Sequence, residues 1–265
     1  MLESITLGII QGLCEFLPVS SSGHLALLQY FFGLGNENLV AFDLLLHFAT
    51  VLASLIYFRR EIIQVLIEWF GGWFGKKSFG WEYGWAILIA TFLTGIIGLP
   101  LRGVVEIMSS SPLYVGFGLI FTAIVLGCVP IISGNDKNHS LLKIAVVVGI
   151  AQGIAVLPGV SRSGMTIAAC LFMGLEVKEA FRFSFLISIP AIVGANLLEA
   201  LKFLKTGEAA FLPEGYVWAC LAAFVLGLAA LGIMRKLVLN EKWPYFGIYC
   251  LALGALMVVL SLQLF

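Results

Sequence analysis

Two polar strings interrupt this apolar chain, QGLCEFLPVSSSGH at 11–24 and QGIAVLPGVSRSGMT at 152–166. They hold the residues best equipped for chemistry. In the second string, Pro158 and Gly159 stop a helix and Gly164 permits a tight turn where the next half-helix starts. Ser161, Ser163 and Thr166 place hydroxyls beside the free N–H groups of that start, a terminus that favours anions through its donors and its dipole. Arg162 adds a fixed charge and a planar donor fork suited to phosphate oxygens. The competing reading is a serine-capped turn with Arg162 snorkelling to a headgroup.

The first string supplies what the second lacks. Gln11 and Glu15 are four residues apart and share one helix face. Glu15 in an apolar segment is costly unless it binds a cation or pairs with Arg162, and a purely structural ion pair is the simpler alternative. Ser20, Ser21 and Ser22 line the break, and His24 follows, able to act as base, acid or nucleophile or merely to be hydrogen-bonded in a core. Combined, these groups would neutralise and position phosphates, hold Mg²⁺ or Ca²⁺ through Glu15 and Gln11, and accept a proton or a phosphoryl group. One carboxylate and one amide make a thin cation site, so a pyrophosphate would have to complete it.

The elements that position these residues are membrane elements. The chain has 265 residues, is 61% hydrophobic and only 11% charged, and its mean hydropathy of +1.06 exceeds what a wet-surfaced domain tolerates. Zero net charge gives no basic signature for nucleic acid. Six spanning helices are expected near 40–58, 84–101, 113–132, 180–201, 216–234 and 245–264. Segments 4–32 and 143–174 are apolar too, but each is broken by its polar string and reads as a re-entrant hairpin. Irregular backbone survives in a bilayer only where protein shelters it around a cavity.

The strings echo each other at an offset of 141: Gln11 with Gln152, Gly12 with Gly153, Ser20 with Ser161, Ser22 with Ser163, Gly23 with Gly164. AFDLLL at 41–46 resembles AFRFSF at 180–185, and Phe117-Gly118 weakly matches Phe246-Gly247. The expected fold is an all-α membrane domain of two repeats, 1–135 and 140–265, joined at the polar seam 133–140. Three spans per repeat would invert the second half, with a shared site on the pseudo-twofold axis. Arg59, Arg60, Lys76, Lys77, Lys137, Lys143, Lys178, Arg182, Arg235, Lys236 and Lys242 fall on one side of that topology, and Arg102, Lys202 and Lys205 on the other. The positive-inside bias assigns the first side to the cytoplasm and both termini to the outside.

Other polar groups carry less. Asp43, His47 and Arg59-Arg60 read as interfacial, His139 as solvated in the seam, and Glu199, Lys202, Lys205 and Glu208 as a solvated helix end. Trp69, Trp73, Trp81 and Trp85 fit an interfacial aromatic belt, with an amphipathic surface helix between spans. The five cysteines have no paired spacing and read as small core hydrophobes. Glu3, with no nearby Lys or Arg, does not suit a cleaved signal peptide.

The chain resembles the undecaprenyl-pyrophosphate phosphatase family, the bacitracin-resistance membrane enzymes of bacteria. Gln11 through His24 match that family's first motif, and Pro158 through Thr166 match its second, PGxSRSxxT; FSFLISIPA at 183–191 extends the likeness over essentially the whole chain. The resemblance implies six spans plus two re-entrant hairpins in the bacterial plasma membrane and a homodimer. It also implies hydrolysis of undecaprenyl pyrophosphate to the monophosphate carrier of wall synthesis, with a divalent cation. By position, Gln11 and Glu15 would serve metal or pyrophosphate, and Ser21 and His24 would be the reacting pair. Arg162, with Ser161, Ser163 and Thr166, would hold phosphates beside Ser20 and Ser22. Gln11 stands where some members have Glu, and an amide cannot be a second carboxylate base. Whether His24 attacks phosphorus or deprotonates Ser21 or water stays open. A transporter or lipid flippase is the alternative class, since broken inverted repeats are common there, and a bare scaffold would gain nothing from Arg162.

Overall fold

In the computed structural model, the described residues are 1–34, 39–76, 78–132, 140–206, 212–240 and 242–264. They form helices only: α1 (Leu2–Cys14), α2 (Ser21–Phe31), α3 (Val40–Tyr57), α4 (Arg59–Gly72), α5 (Phe79–Gly98), α6 (Arg102–Ser109), α7 (Pro112–Ile132), α8 (Leu141–Ile154), α9 (Arg162–Phe172), α10 (Val177–Thr206), α11 (Tyr216–Leu239) and α12 (Trp243–Leu264). Five of these, α5, α7, α10, α11 and α12, are long and apolar enough to cross a bilayer. A sixth candidate exists only if α3 and α4, bent by 72° at Phe58, count as one span. The bend falls where Arg59, Arg60 and Glu61 end the apolar run. Beyond it α4 exposes Ile63, Leu66, Ile67 and Phe70, the spacing of one helix face. The short α6 was not foreseen. The seam residues 133–139, with His139 and Lys137, lie outside the described residues, as do Lys77 and Glu208.

The broken segments become helix pairs, α1 with α2 and α8 with α9. None of the four is long enough to cross alone: α1 has 13 residues and at about 1.5 Å each reaches about 20 Å, against about 30 Å of hydrocarbon. What seats them is glycine. A Cβ on Gly8 would fall 2.2 Å from the Ala219 carbonyl oxygen, and one on Gly12 would fall 2.7 Å from that of Ala223. Gly149 would meet the Ala90 carbonyl oxygen at 2.8 Å and Gly153 the Ile97 Cβ at 2.7 Å. Thus α1 lies on α11 through a Gly-xxx-Gly face, and α8 lies on α5 through its counterpart. Such small-residue faces let helices approach closely where lipid offers no hydrophobic drive. Similarly, α3 packs on α11 as α10 packs on α5, while α7 and α12 pair with each other.

Valine at Gly8 or Gly149 should therefore separate these pairs and cost roughly 1–3 kcal/mol or more, as overpacking does. Lower thermal midpoints and loss of a monodisperse detergent peak are the expected readings. Gly95→Val, with no neighbour near its Cβ position, should leave both unchanged. The cysteines are all free; Cys14, Cys170 and Cys250 are buried as core hydrophobes, while Cys128 and Cys220 are half-buried.

Candidate active site

Both polar strings break their helices in the same way, and the breaks face each other. Ser20 and Ser161 are the N-caps of α2 and α9; their hydroxyls accept the N–H groups of Gly23 and Gly164 at 3.3 and 3.2 Å. Side-chain capping satisfies donors that the first turn leaves free. Ser20 has φ 66°, alone in that region among the described non-glycine residues, and such backbone strain concentrates at working sites. Gly159 has φ 83° and lies so close to the Val115 carbonyl that no side chain fits there. Across the gap, the Ser163 hydroxyl donates to the Leu17 carbonyl at 3.0 Å. Thr122 of α7 ties the second break down: its Oγ1 accepts the Ser161 N–H at 3.0 Å and lies 3.0 Å from the Gly159 carbonyl.

Glu15 is the centre of the cluster and only 6% exposed. Its Oε1 is paired with Arg162 Nη2. Its Oε2 accepts the Ser21 hydroxyl at 2.6 Å and Gln11 Nε2 at 3.0 Å. The structure thus joins Gln11, Glu15, Ser21 and Arg162 from two segments almost 150 residues apart in sequence (separation 147). A carboxylate removed from water needs such a set of donors, since an uncompensated buried charge is severely unfavourable. Two buried polar atoms of this group nevertheless have no protein partner, Arg162 Nη1 and Gln11 Oε1. One is a donor fit for an anion, the other a hard oxygen acceptor.

The remaining expected site residues are placed differently. Ser161 caps, Ser163 reaches Leu17, and the Thr166 hydroxyl lies 2.8 Å from the Arg162 carbonyl and 2.5 Å from the Ser184 hydroxyl. These three are buried. Ser20 caps as well, and its hydroxyl lies 3.2 Å from that of Ser22. Ser22 itself is exposed.

His24 is not hydrogen-bonded to Ser21 or Glu15. Its Nδ1 faces the Ser20 carbonyl at 2.8 Å, and its Nε2 faces the Tyr249 hydroxyl at 2.6 Å. A carbonyl only accepts, so Nδ1 carries the proton, and in the neutral ring Nε2 accepts from Tyr249. The Tyr249 ring also stacks on His24, with centroids 5.6 Å apart.

Sequence reasoning missed His47, Thr50 and Tyr249. His47, read as interfacial, turns inward and brings Nε2 to 3.7 Å from Glu15 Oε2 while Nδ1 donates to the Asp43 carbonyl at 2.8 Å. Asp43 is half-buried and accepts from Gln29 Nε2 at 3.0 Å. Thr50, one turn beyond His47, lies 3.5 Å from Gln11 Nε2. The spacing of His47 and Thr50 on one face of α3 was the available signal; Tyr249 had none.

The family model for bacitracin resistance protein BacA matches residues 4–256. The chain belongs to that family. Its curated relatives include undecaprenyl-diphosphatases from Desulfosudis oleivorans, 40% identical over 99% of both chains, and from Treponema denticola, 41% identical over 95% of this chain and 94% of the relative. A third, from Bacteroides fragilis, is 40% identical over 98% of this chain and 97% of its own. Like the family, the chain is a multi-pass membrane protein, with its polar cluster enclosed among apolar helices.

Proposed function

We propose that this protein is an undecaprenyl-diphosphatase, hydrolysing undecaprenyl pyrophosphate to undecaprenyl phosphate and inorganic phosphate. It thereby recycles the lipid carrier for cell-wall synthesis and confers bacitracin resistance. The observation that carries this reading is the guanidinium of Arg162, with one arm spent on Glu15 and the other buried and unpartnered beside the Ser21 hydroxyl's acceptor. A diphosphate oxygen completes that fork.

In the reading we favour, Ser21 is the nucleophile. Its Oγ forms a bond to the terminal phosphorus as the phosphoanhydride P–O bond breaks, and undecaprenyl phosphate leaves. The hydroxyl proton passes along the 2.6 Å bond to Glu15 Oε2. Water then attacks the phosphoserine, inorganic phosphate departs, and the proton held by Glu15 returns to Ser21. Arg162 and the first N–H groups of α2 and α9 hold the charge that develops on the phosphate oxygens, and Ser22 adds a hydroxyl. Ser20, Ser161, Ser163 and Thr166 hold those turns in place. His24 ties the start of α2 to α12 through Tyr249.

A divalent cation, Mg²⁺ or Ca²⁺, suits the donor set: Glu15 supplies a carboxylate, and the unpartnered Gln11 Oε1 supplies a second hard oxygen. Bound there with the substrate's own oxygens, it would neutralise phosphate charge. Phosphate release by the purified protein from a polyprenyl pyrophosphate is the deciding experiment. We expect it with Mg²⁺ or Ca²⁺ and at least about a hundredfold less with chelator. Headgroup movement across sealed vesicles without phosphate release would favour the transporter reading instead.

His47→Ala removes the imidazole 3.7 Å from Glu15 Oε2 while sparing Arg162. Its expected effect is a fall in turnover of about tenfold, read by the same assay, with binding of substrate little changed.

For the frame we infer two inverted repeats, 1–135 and 140–265, with α1–α2 and α8–α9 as re-entrant hairpins and α3 as the sixth span. The matched pairings of α1 with α11 and α8 with α5 support it. In a bacterial plasma membrane the basic loops would then be cytoplasmic and both termini outside. A reporter fused at the C-terminus should be inactive if it requires the cytoplasm.

A further inference from the structure

Away from the Glu15 cluster, the start of α10, the end of α11 and the α3–α4 bend line a shallow open recess of about 60 Å³. Lys178, Arg182 and Arg235 line it, with Glu61 as the one carboxylate and Phe58 and Phe181 among its apolar walls. We propose that this recess is a second anion site, which takes the phosphate headgroup of an acidic membrane lipid.

Charge comes first. Three cations line the recess against Glu61, with Glu179 beside Arg182, and neither Lys178 nor Arg235 has an ion pair or side-chain hydrogen bond among the described residues. Arg182 is anchored and only loosely paired. Its guanidinium sits over the Tyr83 ring at 5.3 Å, its Nη1 reaches Glu179 only at 3.8 Å, and its Nε is buried with no partner. A guanidinium fixed on an aromatic face with donors to spare is arranged for phosphate. Basic pockets between membrane helices, on the side that carries the positive loops, hold acidic headgroups in this way.

Lipid is favoured over free phosphate by what adjoins the recess. Directly after Glu61, α4 lays its exposed face of Ile63, Leu66, Ile67 and Phe70 along the interface, apolar ground for acyl chains. The recess is also sealed from the Glu15 cluster. Phe58 and Phe181 pack on Phe185 at 5.6 and 4.7 Å between ring centroids, and Phe185 packs on Phe16, next to Glu15, at 5.8 Å. The site is therefore separate from the catalytic one.

Native mass spectrometry of the full-length protein in detergent tests this, with dioctanoyl phosphatidylglycerol, dioctanoyl phosphatidylcholine and inorganic phosphate as probes. Phosphatidylglycerol should be retained in preference to phosphatidylcholine. The double variant Lys178→Gln/Arg235→Gln, both exposed and so tolerated by the fold, should weaken it by roughly thirtyfold, two surface charges' worth. Lys236→Gln, exposed and outside the recess, should leave retention unchanged, and millimolar phosphate should not displace the lipid. Equal retention of the two lipids, an unaffected double variant, or an equal effect of Lys236→Gln would overturn the proposal. Displacement by inorganic phosphate would overturn the lipid assignment in favour of a free-phosphate site.

Discussion

Arg162→Ala should lower phosphate release by about 10³-fold and, separately, destabilise the protein. The catalytic loss follows from the loss of both donor arms and of the charge facing the transferred phosphoryl group; one preorganised donor alone is worth about 10²–10³-fold. The stability loss has a different origin. Without the guanidinium, Glu15, only 6% exposed, keeps just Gln11, Ser21 and His47 as partners. Breaking a buried pair by removing one member costs roughly 3–5 kcal/mol. Two further variants separate these effects. Glu15→Gln/Arg162→Ala removes both charges and should recover most of the thermal stability while remaining inactive. Arg162→Lys keeps the charge but loses the fork, so it should fold well and still lose about 10²-fold in turnover. A stable, active Arg162→Ala protein, measured by thermal midpoint and phosphate release, would falsify the assignment of Arg162 to the site.

How much of this was legible beforehand differs from residue to residue. Arg162 and Glu15 stood out because hydrocarbon makes any charge an anomaly that must be matched. The repeat offset of 141 pointed to two similar breaks, and the structure brings those breaks face to face. The departures from the repeat proved more informative than the matches. At that offset Glu15 stands opposite Val156 in sequence, Ser21 opposite Arg162, and His24 opposite Met165. The first string thus carries the carboxylate, hydroxyl and imidazole, and the second carries the guanidinium. The contact of His47 with Glu15 was missed because charge near a span's end reads as interfacial, whereas the direction in which α3 faces is set by its packing on α11. Tyr249 lies 225 residues from His24, and nothing local marks that distance. The bend after Tyr57 was half legible: Arg59-Arg60 ended the span, but neither the 72° turn nor the unbroken helix beyond it follows from the charges alone.

Ser21→Ala should be almost inert, by about 10³-fold or more, with little change in fold. Glu15 retains Arg162 and Gln11 in that variant, so the stability cost is that of one hydrogen bond, about 1 kcal/mol. The geometry gives Ser21, not His24, the contact with the base: its hydroxyl donates to Glu15 Oε2 at 2.6 Å, while both His24 nitrogens are engaged by Ser20 and Tyr249. An attacking His24 would first have to give up the Tyr249 hydroxyl, and a His24 acting as base would have to reach a proton already committed to Glu15. His24→Ala should accordingly cost about tenfold to a hundredfold, through loosening of the α2 start that presents Ser21. Rapid quenching with substrate labelled in its terminal phosphate distinguishes the routes by the phospho-enzyme formed. A phosphoserine survives acid and a phosphohistidine does not, so acid-stable label on the wild type, absent from Ser21→Ala and present on His24→Ala, is the expected pattern. Acid-labile label that vanishes with His24→Ala would move the nucleophile to the imidazole, and leave Glu15 and Ser21 to position the phosphate it attacks.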